Sequence, residues 1–498
     1  MNKNNTKIIK IGALTSKPYS FKSRSWELKY LESIDLYDSL GSNIKIHYKN
    51  SQILRILPNL NENINEEWIS DKIRFSYDSL NRWRYNIPLI KKENKFVQTN
   101  WNDAFIYIQN WIKQNPMHLT NIIGGFYNSL ESLTAIRHLN NQINKTNVKL
   151  NLNKNKINND LFDNSLLNIS SKNFNKKVYI FIGTNLRLEN PILNLKFRKL
   201  SKSKFFLIGY VGASYNSTLY MYHLGNNIKI LLDLLKGKNK FCFIIKKFLS
   251  NSFSKKKHVE FVLGLDYQTR FDSYYLENLL RKFTYNTFFK KTNLVFLREY
   301  LSEINSDLIN FETNNKIFKK YQNNLYYLVG TEKINLNITK NNFVVFIGHH
   351  NDQLRRDINV ILPTYAQFEN SGTYCNILNI LQKNTGLQSV FKQTRDEFLI
   401  ILMLTKFLYN NKSNILTKEE INFQLKNIIN RSELNVIKKI NFKNIKFKYL
   451  YFTNIVFNSS FKNNKVNFYL TDSFTRASKN MQECSKSFFQ NKQTYIWN

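Results

Sequence analysis

The sequence predicts an α/β protein: a body with a mostly parallel sheet flanked by helices, plus a small amino-terminal β-rich segment. Three observations carry that expectation. Short continuous apolar runs recur between residues 122 and 363, glycine or a polar turn follows most of them, and helix-length segments separate them. A strand that is apolar at successive positions is covered on both faces, which is the situation of parallel strands beneath crossover helices.

Taken in order, residues 1–90 hold shorter strands, such as 43–47. Ile122-Ile-Gly-Gly125, followed by a helical pattern through Ile136 and Leu139, reads as the first unit of the body. Residues 144–159 are rich in Asn and Lys and read as a surface loop. Residues 178–182 form an apolar run broken by Gly183, and Asn190-Pro191 supplies an N-cap and a first helical position for a helix to about Lys199. Residues 205–208, 240–245, 294–297, 343–348 and 358–363 read as further strands. The apolar stretch 398–404 is too short to span a membrane and reads as a buried helix turn. Three parts are expected: an amino-terminal segment 1–90, the α/β body 91–410, and a divergent carboxy-terminal layer 411–498.

Composition bounds the function. With 498 residues, 42% hydrophobic and 15% aromatic, the chain has material for a large core, which excludes wholesale disorder. The formal net charge is +38, and lysine clusters occur at Lys246–Lys247, Lys255–Lys257 and between Lys438 and Lys448. Such charge raises nucleic-acid binding as an alternative. The excess is instead spread along the chain together with surplus Asn, Ile, Phe and Tyr, which points to compositional drift and to no nucleic-acid partner. The three cysteines, Cys242, Cys375 and Cys484, are far apart, so no disulfide framework or four-cysteine metal site is expected from this chain alone. The start lacks the Arg/Ser-rich amphipathic character of an organellar leader, so synthesis inside an organelle with an A+T-rich genome is expected.

Local motifs give no assembled catalytic site. Gly209-Tyr-Val-Gly212-Ala-Ser214 lacks the spacing of a dinucleotide loop and of a nucleophile elbow, and reads as a strand-to-helix turn. His349 and His350 are expected to point to different sides and to act as hydrogen-bonding loop residues. Cys242 reads as a small hydrophobe in a strand, and Glu66-Glu67 lacks a second half for acid/base work.

Several stretches nevertheless share one pattern. They are Gly12-Ala-Leu-Thr-Ser-Lys-Pro-Tyr-Ser-Phe21, Leu40-Gly-Ser-Asn-Ile44, Arg55-Ile-Leu-Pro58 and Asn61-Glu-Asn-Ile-Asn-Glu-Glu-Trp-Ile-Ser-Asp-Lys72. Phe181-Ile-Gly-Thr-Asn-Leu-Arg-Leu-Glu-Asn-Pro191, Gly348-His-His-Asn-Asp352, Gly372-Thr-Tyr-Cys-Asn376 with Gln382, and Thr471-Asp-Ser-Phe-Thr-Arg-Ala-Ser478 continue it in colinear order. In these blocks the chain resembles the family of the largest, seventy-five-kilodalton iron–sulfur subunit of mitochondrial complex I, NADH:ubiquinone oxidoreductase. The resemblance implies a molybdopterin-oxidoreductase-like body and a place in the peripheral arm on the matrix side, as a component of a proton-translocating NADH:ubiquinone reductase, with no membrane span of its own.

The resemblance also shows departures. The family's ferredoxin-like part, holding one binuclear and two tetranuclear clusters, has no counterpart here, and Ile9 stands where its last cluster cysteine falls. An aliphatic side chain offers iron no lone pair. The expectation is therefore a split subunit: no catalytic residues, no cofactor and no metal in this chain, with the iron–sulfur clusters on a separate ferredoxin-like partner that it covers and positions, and with 1–90 as a vestigial iron–sulfur-type subdomain adjoining that partner. The residues expected at that partner's interface are Gly12, Ala13, Leu14, Thr15, Ser16, Lys17, Pro18 and Tyr19, and other peripheral-arm subunits are expected as further partners. At 377–380 the family's polar centre is replaced by Ile377, Leu378, Asn379 and Ile380, which suits packing. A true molybdopterin-dependent oxidoreductase is the alternative enzyme reading.

Overall fold

The computed structural model describes residues 16–142, 147–150, 177–250, 258–280, 291–309, 324–331, 342–409, 420, 460–461 and 467–494, less a few residues inside those spans. Its body is built on two sheets. The first runs in the order Lys95–Gln98, Leu89–Lys92, Val360–Pro363, Phe343–Gly348, Asn324–Val329, Leu119–Gly124, Asn147–Leu150. Its five strands from Val360–Pro363 onward pair in parallel, and a short antiparallel hairpin extends one edge. The second sheet has the order Tyr222–Gly225, Phe206–Val211, Lys177–Ile182, His258–Leu263, Lys291–Phe296, parallel throughout. The α/β body with its mostly parallel sheet therefore stands as expected.

The central strands are buried at every position, as in Lys177–Ile182, Asn324–Val329 and Phe343–Gly348. One face of the first sheet packs Tyr327, Val345 and Val360 against Phe105, Leu133 and Ile401 from three helices; the other packs Tyr326, Val344 and Ile361 together. In the second sheet Val178 and Phe261 face Leu231 and Phe241, while Tyr179 and Phe181 face Phe197. At roughly 25 cal/mol per Å² of apolar surface, these four layers are the main favourable term in folding.

Three local expectations change. Residues 240–245 belong to the helix Lys240–Ser250, not to a strand. Phe241, Ile245 and Leu249 are buried at a four-residue spacing, while Lys246 and Lys247 are exposed, which is the periodicity of an amphipathic helix. Cys242 accordingly sits on a helix, its thiol donating to the Leu234 carbonyl at 3.3 Å. Within 144–159, Asn147–Leu150 is an edge strand paired with Leu119–Gly124, and residues 151–159 lie outside the described residues. The stretch 398–404 is part of the longer helix Glu397–Tyr409.

The amino-terminal segment forms a separate antiparallel sheet of β1 (Lys29–Ile34), β2 (Asn43–Lys49) and β3 (Gln52–Pro58). Alternation places Leu31, Ile46 and Ile56 in one cross-strand row and Tyr30, His47 and Arg55 in the next. The Ile46 and Ile56 side chains are fully buried, in a cluster with Ile73 and Tyr77 from the following helical turns, Tyr300, Leu301, Phe368 and Tyr374 from the body, and Phe474 from near the chain end. Sequence separation of over 400 residues thus closes within one core.

A buried ion pair straps this segment to the body. Arg84 and Glu369 have side chains 1% and 2% exposed, in a two-pronged pair: Nη1 donates to Oε1 at 3.0 Å and Nη2 to Oε2. The guanidinium also lies 4.7 Å from the Phe391 ring centroid. Removing one partner strands the other charge in a dry site, so Glu369→Ala is expected to cost about 3–5 kcal/mol in chemical denaturation. A paired Arg84→Met/Glu369→Leu replacement is expected to cost clearly less, and equal losses would show that the charges themselves stabilise.

Candidate functional site: the amino-terminal module and its seam

The seam between β1–β3 and the body is polar at its centre. Ser70 caps Asp71–Phe75 by accepting from the Ile73 amide at 3.3 Å, which turns Lys72 inward. Lys72 is 1% exposed. Its Nζ donates to Thr471 Oγ1 at 2.8 Å and lies 5.1 and 5.3 Å from the rings of Phe468 and Tyr37. Aromatic faces and a hydroxyl replace the water this ammonium would otherwise hold. Beside it, Asp472 accepts from Tyr127 Oη at 2.7 Å, and Tyr374 Oη donates to the Tyr127 carbonyl at 2.9 Å. Gln367 donates to Tyr37 Oη at 2.7 Å.

The chain's last described helix joins the same seam. Asp78 accepts from the amides of Lys479 and Asn480 at 2.9 and 3.2 Å, capping Lys479–Thr494 from a distant segment. Arg476 grips Asp352 with bonds of 2.6 and 2.8 Å.

The histidine pair also lies there, and differs from expectation. His349 and His350 face each other, with Nδ1 atoms 2.7 Å apart, because the strand ends at Gly348 and alternation stops with it. His350 Nε2 lies 2.8 Å from the Arg82 carbonyl and 3.1 Å from that of Ser79, so it carries the proton, and His349 Nδ1–H donates to the bare His350 Nδ1. Burial, then the Arg84 charge, pushes His350 down to about 4, and burial holds His349 well below its usual range. Both are neutral hydrogen-bonding groups locking 79–82 to the body.

Of the expected interface residues, Gly12, Ala13, Leu14 and Thr15 lie outside the described residues. Ser16, Lys17, Pro18 and Tyr19 lead into a turn in which Ser16 O accepts from the Tyr19 and Ser20 amides. Tyr19 is buried, its ring 4.7 Å from the Arg55 guanidinium. These residues therefore abut the face of β1–β3 that bears Tyr30, His47 and Arg55. The His47 ring stacks on Tyr30 at 6.1 Å, and burial, then Arg55 and Lys45, lower it to about 4. Sequence reasoning missed this row, although the alternation of β1–β3 carries it.

Other candidates are structural. Glu66 closes a turn at φ 51° and pairs with Lys199. A side chain at Gly209 would strike the Phe241 ring at 2.6 Å, so that glycine makes room for a helix. Burial raises the Cys375 thiol to about 12, making it a poor thiolate source.

Both parts of the chain match known families. Residues 84–407 match the family model for molybdopterin oxidoreductase. Residues 28–78 match that for the NADH-ubiquinone oxidoreductase NDSU1/NuoG-like, 4Fe-4S domain. The chain is 32% identical to the NADH-ubiquinone oxidoreductase 75 kDa subunit of Reclinomonas americana, over 96% of this chain and 71% of that protein. It is 31% identical to the mitochondrial NADH-ubiquinone oxidoreductase 78 kDa subunit of Candida albicans, over 96% and 67%. With the mitochondrial NADH dehydrogenase [ubiquinone] iron-sulfur protein 1 of Solanum tuberosum it shares 30%, over 96% and 64%.

The second match corrects the cofactor expectation. A chain containing the family's 4Fe-4S domain at 28–78 has a cluster-binding region of its own, so clusters do not belong to a partner alone. Counting cysteines missed it because 28–78 contains none. The donor set does not by itself fit a cluster: 28–78 holds no cysteine and one histidine, His47. Among the described residues no group of three His, Cys, Asp or Glu side chains converges. The body fits a pterin no better. A side chain at Gly125 would lie 1.9 Å from Gly330 O, and one at Gly264 would lie 2.3 Å from Gly183 O, so the strand-end glycines close on each other instead of cradling a phosphate.

The seam carries one titration. Burial, then the neighbouring Asp38, raises Asp35 to about 8. Its carboxyl accepts from the Tyr37 amide at 2.9 Å, and Ser70 Oγ lies 3.4 Å away. A carboxyl raised from 3.8 to about 8 contributes stability below pH 4 that is lost as pH rises to about 8. Asp35→Asn keeps the amide contact, so it is expected to raise stability by about 1–3 kcal/mol at pH 8 and little at pH 4. Thermal melts across that range check it; an equal shift at both pH values would assign the effect to packing.

Proposed function

This chain belongs to the family of the 75 kDa subunit of NADH-ubiquinone oxidoreductase, and from that membership we propose that it works in the peripheral arm of mitochondrial complex I. Module 28–78 forms one wall of a 4Fe–4S site whose thiolates come from outside 28–78. Support comes from a domain of cluster-binding type that keeps its sheet and core without a cysteine of its own.

The body's part is mechanical and electrostatic. It holds β1–β3 in register through the shared core and Lys72, so the row of exposed Tyr30 and half-buried His47 and Arg55 forms a fixed surface. A bound cluster supplies one-electron transfer. The chain's own groups exclude water and present the Arg55 charge, which together tune a nearby reduction potential. Residues 16–19 extend that surface and serve as its partner contact.

The chain works on the matrix side of the inner membrane. Among the described residues no helix is long and apolar enough to cross a membrane.

Purification of the native assembly through a tag on this chain tests the reading. The expected result is co-purification with NADH-oxidising subunits, identified by mass spectrometry, and a 4Fe–4S electron paramagnetic signal on reduction. Recovery of the chain alone, or of an intact assembly without such a signal, would refute the reading.

A further inference from the structure

A groove lies between the loop that follows β3 and the body helix Pro191–Ser201, with a volume of about 310 Å³. Its apolar wall is Ile192, Leu195 and Trp68. Trp68 is 37% exposed, a large apolar side chain left at the mouth. Its position is fixed from behind. The Asn61 carbonyl accepts from the amides of Ile64, Asn65 and Glu66 at 3.2, 3.1 and 2.7 Å, and the Asn65 side chain donates to the carbonyls of Asn43, Asn59 and Trp68. A rigid aromatic edge loses little entropy on binding.

The other side is cationic. Helical spacing puts Lys196 and Lys199 on the face of Ile192 and Leu195, and Arg198 and Lys202 complete the lining. Against these four cations the groove holds one carboxylate, Glu66. Lys196 Nζ donates to the Asn63 carbonyl at 2.6 Å, and Lys199 meets Glu66 at 3.1 Å with its side chain 73% exposed. An exposed pair of that kind is worth little, so an incoming carboxylate displaces Glu66 at small cost.

We propose that this groove docks an acidic, amphipathic segment of another polypeptide, with an apolar side chain against Trp68 and Leu195 and flanking carboxylates on Lys199 and Lys202. Charge complementarity selects the acidic partner. The volume sits at the lower limit of small-molecule pockets, about 300–1,000 Å³, which suits a side-chain anchor better than a nucleotide. The groove is independent of the Tyr30–His47–Arg55 row, but the proposal rests on the reading that the chain works in an assembly.

Zero-length carbodiimide coupling of the purified native assembly tests it, because that reagent joins a lysine only to a carboxylate in contact. The expected product links Lys199 or Lys202 to an Asp or Glu of another polypeptide, beside an apolar residue, and falls at least tenfold in Trp68→Ala. Trp68 is partly exposed, so that variant retains the fold, which co-migration with the same subunits verifies. A product with Glu66 only, a link that Trp68→Ala leaves unchanged, or release of a small anion from the groove without any link would each overturn the proposal. A chain that migrates alone would instead sink the assembly reading on which it depends.

Discussion

The three-stranded sheet has one apolar face, and the structure turns on how that face is covered. Ile46 and Ile56 are closed over by Phe368 and Tyr374 of the body and by Phe474 from the far end of the chain. Removing that apolar face from water is the main favourable term for docking the sheet on the body. The polar centre of the seam then fixes orientation: a buried ammonium has few places where a hydroxyl and aromatic faces meet it at once, so Lys72 specifies one docking geometry. Whether that polar centre adds net stability is secondary to the uniqueness it imposes.

The same packing explains why the body keeps a family's fold while its strand-end loops take another use. Loops at the carboxyl ends of parallel strands are where such folds place ligands. Here those turns are filled by protein. Gly125 meets Gly330, and Asn128 and Glu397 bond across the space beyond. Burial raises Glu397 to about 7, a sign of a site closed to water. In the proposed reading, the working surface is the row on β1–β3.

Most of the body was legible because its central strands are continuous apolar runs, and period and length identify those directly. Asn324–Val329 and His258–Leu263 escaped notice, the first because Tyr and Asn dilute its pattern, the second because Glu260 sits within it. Residues 240–245 misled because the five apolar or aromatic positions after Lys240 fit a strand until the next five residues reveal a helix. A search for donors could not find the 4Fe-4S domain, since 28–78 has no cysteine, and only the family resemblance made 1–90 an iron–sulfur-type segment, there expected to be vestigial. The seam could not be read at all: Lys72, Thr471 and Tyr127 have no local signature, and only tertiary structure brings them together.

The central claim is that β1–β3 walls a 4Fe–4S cluster. The most direct measurement is a redox titration of the native assembly followed by electron paramagnetic resonance, comparing Arg55→Gln with the unaltered chain. Loss of a cation that favours the reduced cluster predicts that one 4Fe–4S signal shifts to a more negative potential by roughly tens of millivolts, the others staying in place. Unchanged potentials for every cluster in an intact assembly would contradict the account.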